Sequence, residues 1–183
     1  RLILCYGLPP GGRRNDATLE MQCDPALADY YVKMWELIAR HCKGSKAVWG
    51  YDLINEPQQT TELAVDYLEI QRRAAEAIRR IDPDVPLIVE SNLLASPEMF
   101  RFLEPLKMKD VIYQAHMYVP AGFTHSTLGP YPGNIRGEYW DREALRKVLK
   151  PVAEFQKRHK ARIYIGEFSA RARAEGADRY LRD

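Results

Sequence analysis

Residues 47–57 read AVWGYDLINEP, an apolar run that ends abruptly in Asn55, Glu56 and Pro57. A short, nearly continuous hydrophobic run is typical of a strand that is buried on both faces of a parallel sheet. In barrels built from such strands, the reactive side chains lie where the strands end. The sequence therefore predicts a strand before Glu56 and a functional position for that glutamate.

A second run of the same kind lies far along the chain, where the apolar residues 163–165 lead through Gly166 into Glu167. Glu167 thus also ends a predicted strand. Either glutamate taken alone can equally be a solvated charge or a partner of a helix N-terminus. Two carboxylates at two strand ends are the pattern that a functional hypothesis has to explain.

Other strands are predicted at 2–6, 85–90 and 111–116, and the last one spans 162–168. Helices are predicted between them. Asp24 and Pro25 begin one helix as N-cap and first helical residue, and its apolar face is predicted to contain Leu27, Tyr31, Met34 and Ile38. A second helix is predicted from Leu63 to Ile81, a short one around 97–106, one from Asp141 with a kink at Pro151, and a last one after Gly176.

Five strands that alternate with helices predict right-handed crossovers and a parallel sheet. Both an open doubly wound sheet and a closed eight-stranded barrel fit that alternation. An open sheet usually has a glycine-rich phosphate loop after its first strand, and residues 9–12 (PPGG) lack both the glycine spacing and a helix directly after them. We therefore predict an α/β fold, a partial (β/α)8 barrel truncated at both ends, as one incomplete domain over 1–183.

The composition excludes several classes of function. The 27 basic and 25 acidic residues give a net charge of +2, which is too small to indicate a nucleic-acid partner. No stretch of about 18 apolar residues predicts a membrane span. Cys5, Cys23 and Cys42 form no closely spaced pair, and the histidines fit no zinc spacing, so we expect no metal or other cofactor.

Three strand ends carry a resemblance to a known family. Residues 55–57 (NEP), then His116 and Tyr118, then residues 166–169 (GEFS) follow one another in the order and spacing of family 5 of the glycoside hydrolases, the cellulase family. The match covers nearly the whole chain and corresponds to strands three to seven of the family's barrel. An Asn-Glu-Pro triplet alone is weak, but three matched strand ends are specific.

The resemblance implies a retaining, cellulase-like or endoglucanase-like hydrolase of β-linked polysaccharides or oligosaccharides. Glu56 would be the general acid/base, Glu167 the nucleophile and Asn55 a partner of the sugar hydroxyl beside the reacting carbon. His116 and Tyr118 would support the carboxylates. A retaining mechanism needs the two carboxyl groups about 5 to 5.5 Å apart, and we expect that separation here.

Further residues have two interpretations each. His116 and Tyr118 are two apart, so an extended backbone sends both side chains to one side, and we expect the Tyr118 hydroxyl to donate to Glu167. Trp140, with Tyr131 and Tyr139, lies in or beside a predicted long loop over 119–140, where an aromatic ring can stack on a sugar or simply pack the loop down. Trp140 is included as a candidate substrate-binding residue. Glu90 ends the middle strand, and we interpret it as structural.

Two departures from the family are visible. Gly7 stands where the family usually places a histidine, and the strands that carry an arginine and an aromatic platform in the family are absent. A five-stranded arc cannot close a barrel, so we expect the fragment alone to be unstable or inactive.

Two other functions stay open at this point. One is a carbohydrate-binding barrel that has lost catalysis, and the other is an unrelated barrel enzyme that uses carboxylates with a metal. From the family we expect a monomer that binds a β-linked sugar, binds no nucleic acid or membrane, and is secreted or periplasmic.

Overall fold

Five parallel strands carry the fold, and they neighbour one another in chain order. They are β1 (Leu2–Cys5), β2 (Val48–Asp52), β3 (Leu87–Glu90), β4 (Val111–Met117) and β7 (Arg162–Phe168). Neighbouring parallel strands in chain order require crossover connections, which the helices supply. The order confirms the predicted fold class, part of a (β/α)8 barrel.

The computed structural model describes all residues, Arg1–Asp183, and they form two compact units. The first unit consists of Arg1–Ala95 and Leu103–Gln114. The second consists of Ser96–Phe102 and Ala115–Asp183.

The first unit contains the pairings of β1 with β2, β2 with β3, and β3 with β4, all parallel. Its register places Glu90 opposite Gln114 on neighbouring strands. Its helices are α1 (Glu20–Cys23), α2 (Pro25–Cys42), α3 (Tyr67–Ile81) and a single left-handed turn, α4 (Asn92–Ala95). The strand ends of β2 and β3 therefore meet at one edge.

Helix α2 begins as predicted, because the Asp24 side chain accepts a hydrogen bond from the Ala26 amide. Its predicted face is shifted by one position for most residues. The fully buried side chains are Ala28, Tyr31, Trp35 and Ala39, whereas three of the predicted residues, Leu27, Met34 and Ile38, are only partly buried. Trp35 is fixed by donating its indole N–H to the Leu53 carbonyl (3.2 Å).

Helix α3 begins at Tyr67 and not at the predicted Leu63. The Asp66 side chain accepts from the amides of Leu68 and Glu69 and so caps the helix, which outweighs the apolar spacing upstream. The predicted helix around 97–106 is only a 3-10 turn, Pro97–Arg101.

The second unit contains the 3-10 turn, the C-terminal end of β4, strand β7 and helices α5 (Ala121–Thr124), α6 (Arg142–His159) and α7 (Ala177–Arg182). The predicted long loop also holds an antiparallel hairpin, β5 (Gly133–Ile135) and β6 (Glu138–Trp140). The hydrophobic core of this unit includes Met117, Phe123, Tyr131, Ile135, Leu145, Ala174, Ala177 and Tyr180. None of the helices is both long and apolar enough to cross a membrane.

Candidate active site

Asn55 and Glu56 follow strand β2 in the first unit, where Leu53 and Ile54 are buried and the two polar residues are half-buried. Glu56 has a φ of 51°, a left-handed conformation that is uncommon for a residue other than glycine. The Arg13 guanidinium donates to the carbonyl oxygens of Glu56 (2.8 Å) and Asn55. The backbone of the Asn-Glu pair is therefore fixed by a side chain from the segment between β1 and α1.

The backbone N–H of Glu56 donates to Oε2 of Glu90 (2.7 Å). Glu90 ends strand β3 and is 0% exposed. Gln71 on α3 holds the backbone of Glu90 from the other side, since it accepts from the Glu90 N–H (2.9 Å) and donates to the Glu90 carbonyl (3.0 Å). The sequence predicts no functional partner for Glu90, although it is the last residue of β3.

Two buried carboxyl groups share one amide at this edge. Nε2 of Gln114 donates to Oε1 of Glu90 (2.5 Å) and to Oδ2 of Asp52 (2.9 Å). Burial, assisted by the negative charge of Asp52, raises the pKa of Glu90 to about 9. Glu90 is therefore protonated at neutral pH, which lets a carboxyl group lie in this interior without a full negative charge.

Glu167 lies on strand β7 in the second unit and is half-buried. The Tyr118 hydroxyl donates to its Oε2 (3.0 Å), the hydrogen bond that the sequence leads us to expect. Nε2 of His116, a buried residue of β4, lies 3.8 Å from Oε1 of Glu167. The period of two along the strand end thus brings both side chains to the same carboxylate.

Tyr118 also has contacts that position its backbone and its ring. Thr124 on α5 donates its hydroxyl to the Tyr118 carbonyl (2.7 Å), and the His125 ring lies 5.1 Å from the Tyr118 ring. Oγ1 of Thr124 is 2.9 Å from Nδ1 of His125. Sequence analysis assigned His125 no role, because a single histidine in a loop carries no spacing signal.

A model of the family Cellulase (glycosyl hydrolase family 5) matches residues 17–181. The chain belongs to glycosyl hydrolase family 5.

Curated relatives of this family 5 chain are endoglucanases. Endoglucanase C of Acetivibrio thermocellus is 27% identical over an alignment of 211 positions, which covers 95% of this chain and 60% of that protein. Endoglucanase C307 of Clostridium sp. (strain F1) is 26% identical, with the same coverage of 95% and 60%. The chain thus spans 60% of the length of these relatives.

Solved structures support the same fold. The endoglucanase Cel5A of the hyperthermophilic Thermotoga maritima superposes with a TM-score of 0.73 at 22% identity, covering 95% of this chain and 56% of that one. Another endoglucanase structure gives a TM-score of 0.72 at 25% identity, covering 95% and 56%. These likenesses agree with a chain that contains part of a (β/α)8 barrel.

The aromatic residues of the loop differ in burial within this family 5 chain. Tyr131 is 3% exposed and donates its hydroxyl to Asp183 (3.1 Å), so it packs the loop down. Tyr139 is 66% exposed. Trp140 is partly buried against the core of the second unit, and its contact with a sugar stays a prediction.

Gly7, where family 5 usually has a histidine, follows β1 and is exposed. A Cβ added at Gly7 meets no atom within 4 Å. The glycine is therefore not required by close packing at this position.

Proposed function

We propose that this chain is the catalytic part of a retaining hydrolase that cleaves β-linked glucans by double displacement. Membership of the cellulase family and the endoglucanase relatives support the substrate class. The observation that carries the mechanism is the hydrogen bond from the Tyr118 hydroxyl to Glu167. A donated hydrogen bond orients the carboxylate, and an oriented nucleophile reacts faster.

The proposed reaction has two steps. In the first, the Glu167 carboxylate attacks the anomeric carbon while the Glu56 carboxylic acid gives its proton to the departing glycosidic oxygen, and a glycosyl ester forms on Glu167. In the second, Glu56 accepts a proton from water as the water oxygen attacks that carbon and Glu167 departs. Two inversions retain the β configuration, and Asn55 binds the hydroxyl beside the reacting carbon.

The full-length protein and its Glu167→Ala and Glu56→Ala variants test these roles with aryl β-cellobiosides. Glu167→Ala should lower kcat by about 10⁴-fold, since covalent catalysis is lost. Glu56→Ala should lose little activity on a dinitrophenyl substrate when azide is added, because that leaving group needs no acid and azide needs no base. The azide product should be a β-glycosyl azide, identified by NMR.

Glu175→Gln is the matched control, since Glu175 is an exposed glutamate of the same unit, and it should keep full activity. A Glu167→Ala variant within about tenfold of the wild type would remove the nucleophile assignment. A product with inverted configuration would remove the double displacement.

A second candidate function is a carbohydrate-binding barrel without catalysis, which Gly7 favours because one substrate contact of the family is missing there. It predicts that the wild-type full-length protein binds cello-oligosaccharides in calorimetry and releases no reducing ends. Turnover by the wild type excludes this candidate.

A further inference from the structure

We propose that Glu90 is a positioning residue for Glu56, and that its carboxyl group holds the Glu56 backbone in the conformation from which the Glu56 side chain acts. The inference rests on the proposed role of Glu56 as general acid/base. It adds a function to a side chain that lies in the interior and ends a different strand.

The first observation is that both backbone polar groups of Glu56, a strained residue, have side-chain partners. Glu56 has a φ of 51°, and a non-glycine residue keeps such a conformation only when its surroundings impose it. The Glu90 carboxyl accepts from the Glu56 N–H, and Arg13 donates to the Glu56 carbonyl. Without the Glu90 acceptor, the Glu56 amide would lose its buried partner, and the backbone would be able to relax.

The second observation is that other residues fix Glu90 at both polar atoms of its backbone and at one carboxyl oxygen. Gln71 makes two hydrogen bonds to its main chain, and Gln114 donates to Oε1. A carboxyl group whose own position is determined in this way can transmit it to Glu56. Positional precision of this kind is what a general acid needs, since small displacements from the leaving oxygen cost rate.

The third observation concerns charge. Burying a carboxyl group is costly, and an apolar side chain would serve packing alone at less cost. Because burial raises the pKa of Glu90 to about 9, the group is neutral at working pH and adds no negative charge beside Glu56. It acts on Glu56 as a hydrogen-bond acceptor for the backbone N–H.

The test measures kcat/KM of the full-length Glu90→Leu variant on two aryl β-cellobiosides. Phenol is a poor leaving group that needs a proton, whereas dinitrophenol departs without one. We expect Glu90→Leu to lose about 100-fold on the phenyl substrate and less than about fivefold on the dinitrophenyl substrate, because only general acid catalysis is impaired. Equal losses on both substrates would overturn the proposal.

Glu90→Gln is the conservative variant and keeps the side-chain shape. The hydroxyl oxygen of a protonated carboxyl can still accept a hydrogen bond, whereas an amide nitrogen cannot, so Glu56 and Gln114 must compete for one oxygen. We expect a loss of about threefold to tenfold on the phenyl substrate and none on the dinitrophenyl substrate. A Glu90→Gln variant with wild-type rates on both substrates would count against the proposal even if Glu90→Leu did not fold.

Ile88→Val is the matched control, because Ile88 is also fully buried on β3 and lies two residues before Glu90. It should change both substrates equally, if at all. A readout without catalysis is hydrogen exchange of the Glu56 amide, which should be at least about tenfold faster in Glu90→Gln than in Ile88→Val. Unchanged exchange overturns the role of Glu90, whereas an inactive wild type with changed exchange rejects only the proposed function.

Discussion

Glu56 follows strand β2 and Glu167 lies near the end of strand β7, yet the protein fixes them by different atoms. At Glu56 the contacts from Arg13 and Glu90 fix the main chain. At Glu167 the contact from Tyr118 is made to the carboxylate itself. A general acid/base gains and loses a proton in every cycle, so a fixed backbone suits it, whereas a nucleophile attacks through its own oxygens and benefits from a donor that orients them.

The largest expected effect is on the stability of the protein, because Glu90, which contacts Glu56, is a buried acid. Its pKa rises from 4.5 to about 9 on folding, so the folded protein binds a proton that the unfolded chain has lost. The stability from this group is complete below about pH 4.5 and is lost as the pH rises to about 9. Glu90→Gln, which cannot ionise, should therefore gain stability relative to the wild type by up to about 1.4 kcal/mol per pH unit.

Urea unfolding of both full-length proteins at pH 5.5 and 7.5 measures this, and the difference should grow by about 2 to 3 kcal/mol between these pH values. Glu98→Gln, at an exposed glutamate, supplies the control and should show no such change. A Glu90→Gln difference that is the same at both pH values would mean that Glu90 is ionised in the folded protein. Glu56 would then be fixed by a charged carboxylate, and the proposed contrast with Glu167, which is fixed by the Tyr118 hydroxyl, would be wrong.

The next effect is on catalysis and concerns the contact of Tyr118 with Glu167. Tyr118→Phe removes the hydroxyl that donates to Glu167 and keeps the ring beside His125. A hydrogen bond to a charged group contributes about 1.5 to 3 kcal/mol, so kcat/KM should fall by about tenfold to 100-fold. Steady-state kinetics on an aryl β-cellobioside measure it, with Tyr30→Phe, at an exposed tyrosine of α2, as an unaffected control. Full activity in Tyr118→Phe would show that the hydrogen bond from Tyr118 does not support Glu167.

The elements that were predictable share a strong local signal. Strands β2 and β7 lie in short, nearly continuous apolar runs, and α2 has both a capping aspartate and a proline at its start. The hairpin of β5 and β6 was missed, because each strand has only three residues and shows no alternation. Its turn residues Arg136 and Gly137 both have positive φ, but arginine at the first position hides the usual turn signature.

The same limit applies to the candidate site. Tyr118 and His116 were predictable partners of Glu167, because the period of two fixes their side. Glu90 was not a predictable partner of Glu56, since the contact joins a side chain to a backbone amide 34 residues away. Sequence spacing carries side-chain direction along one strand, whereas a contact between neighbouring strands depends on register and on the left-handed turn at Glu56.

The smallest expected effect is that of adding a side chain at Gly7, in the unit that contains Glu56. Gly7 is exposed, a Cβ there meets open space, and its backbone is outside the left-handed region, so Gly7→His should fold normally. If the added imidazole restores the substrate contact that the family usually has, one hydrogen bond of about 0.5 to 1.5 kcal/mol should lower KM by about twofold to tenfold. Gly7→Ala is the matched control, because both substitutions restrict the unfolded chain alike while only histidine supplies a polar atom. Equal KM values for the two variants would show that substrate binding needs no contact from the end of β1. The contacts of Arg13 and Glu90 with the Glu56 backbone would then suffice.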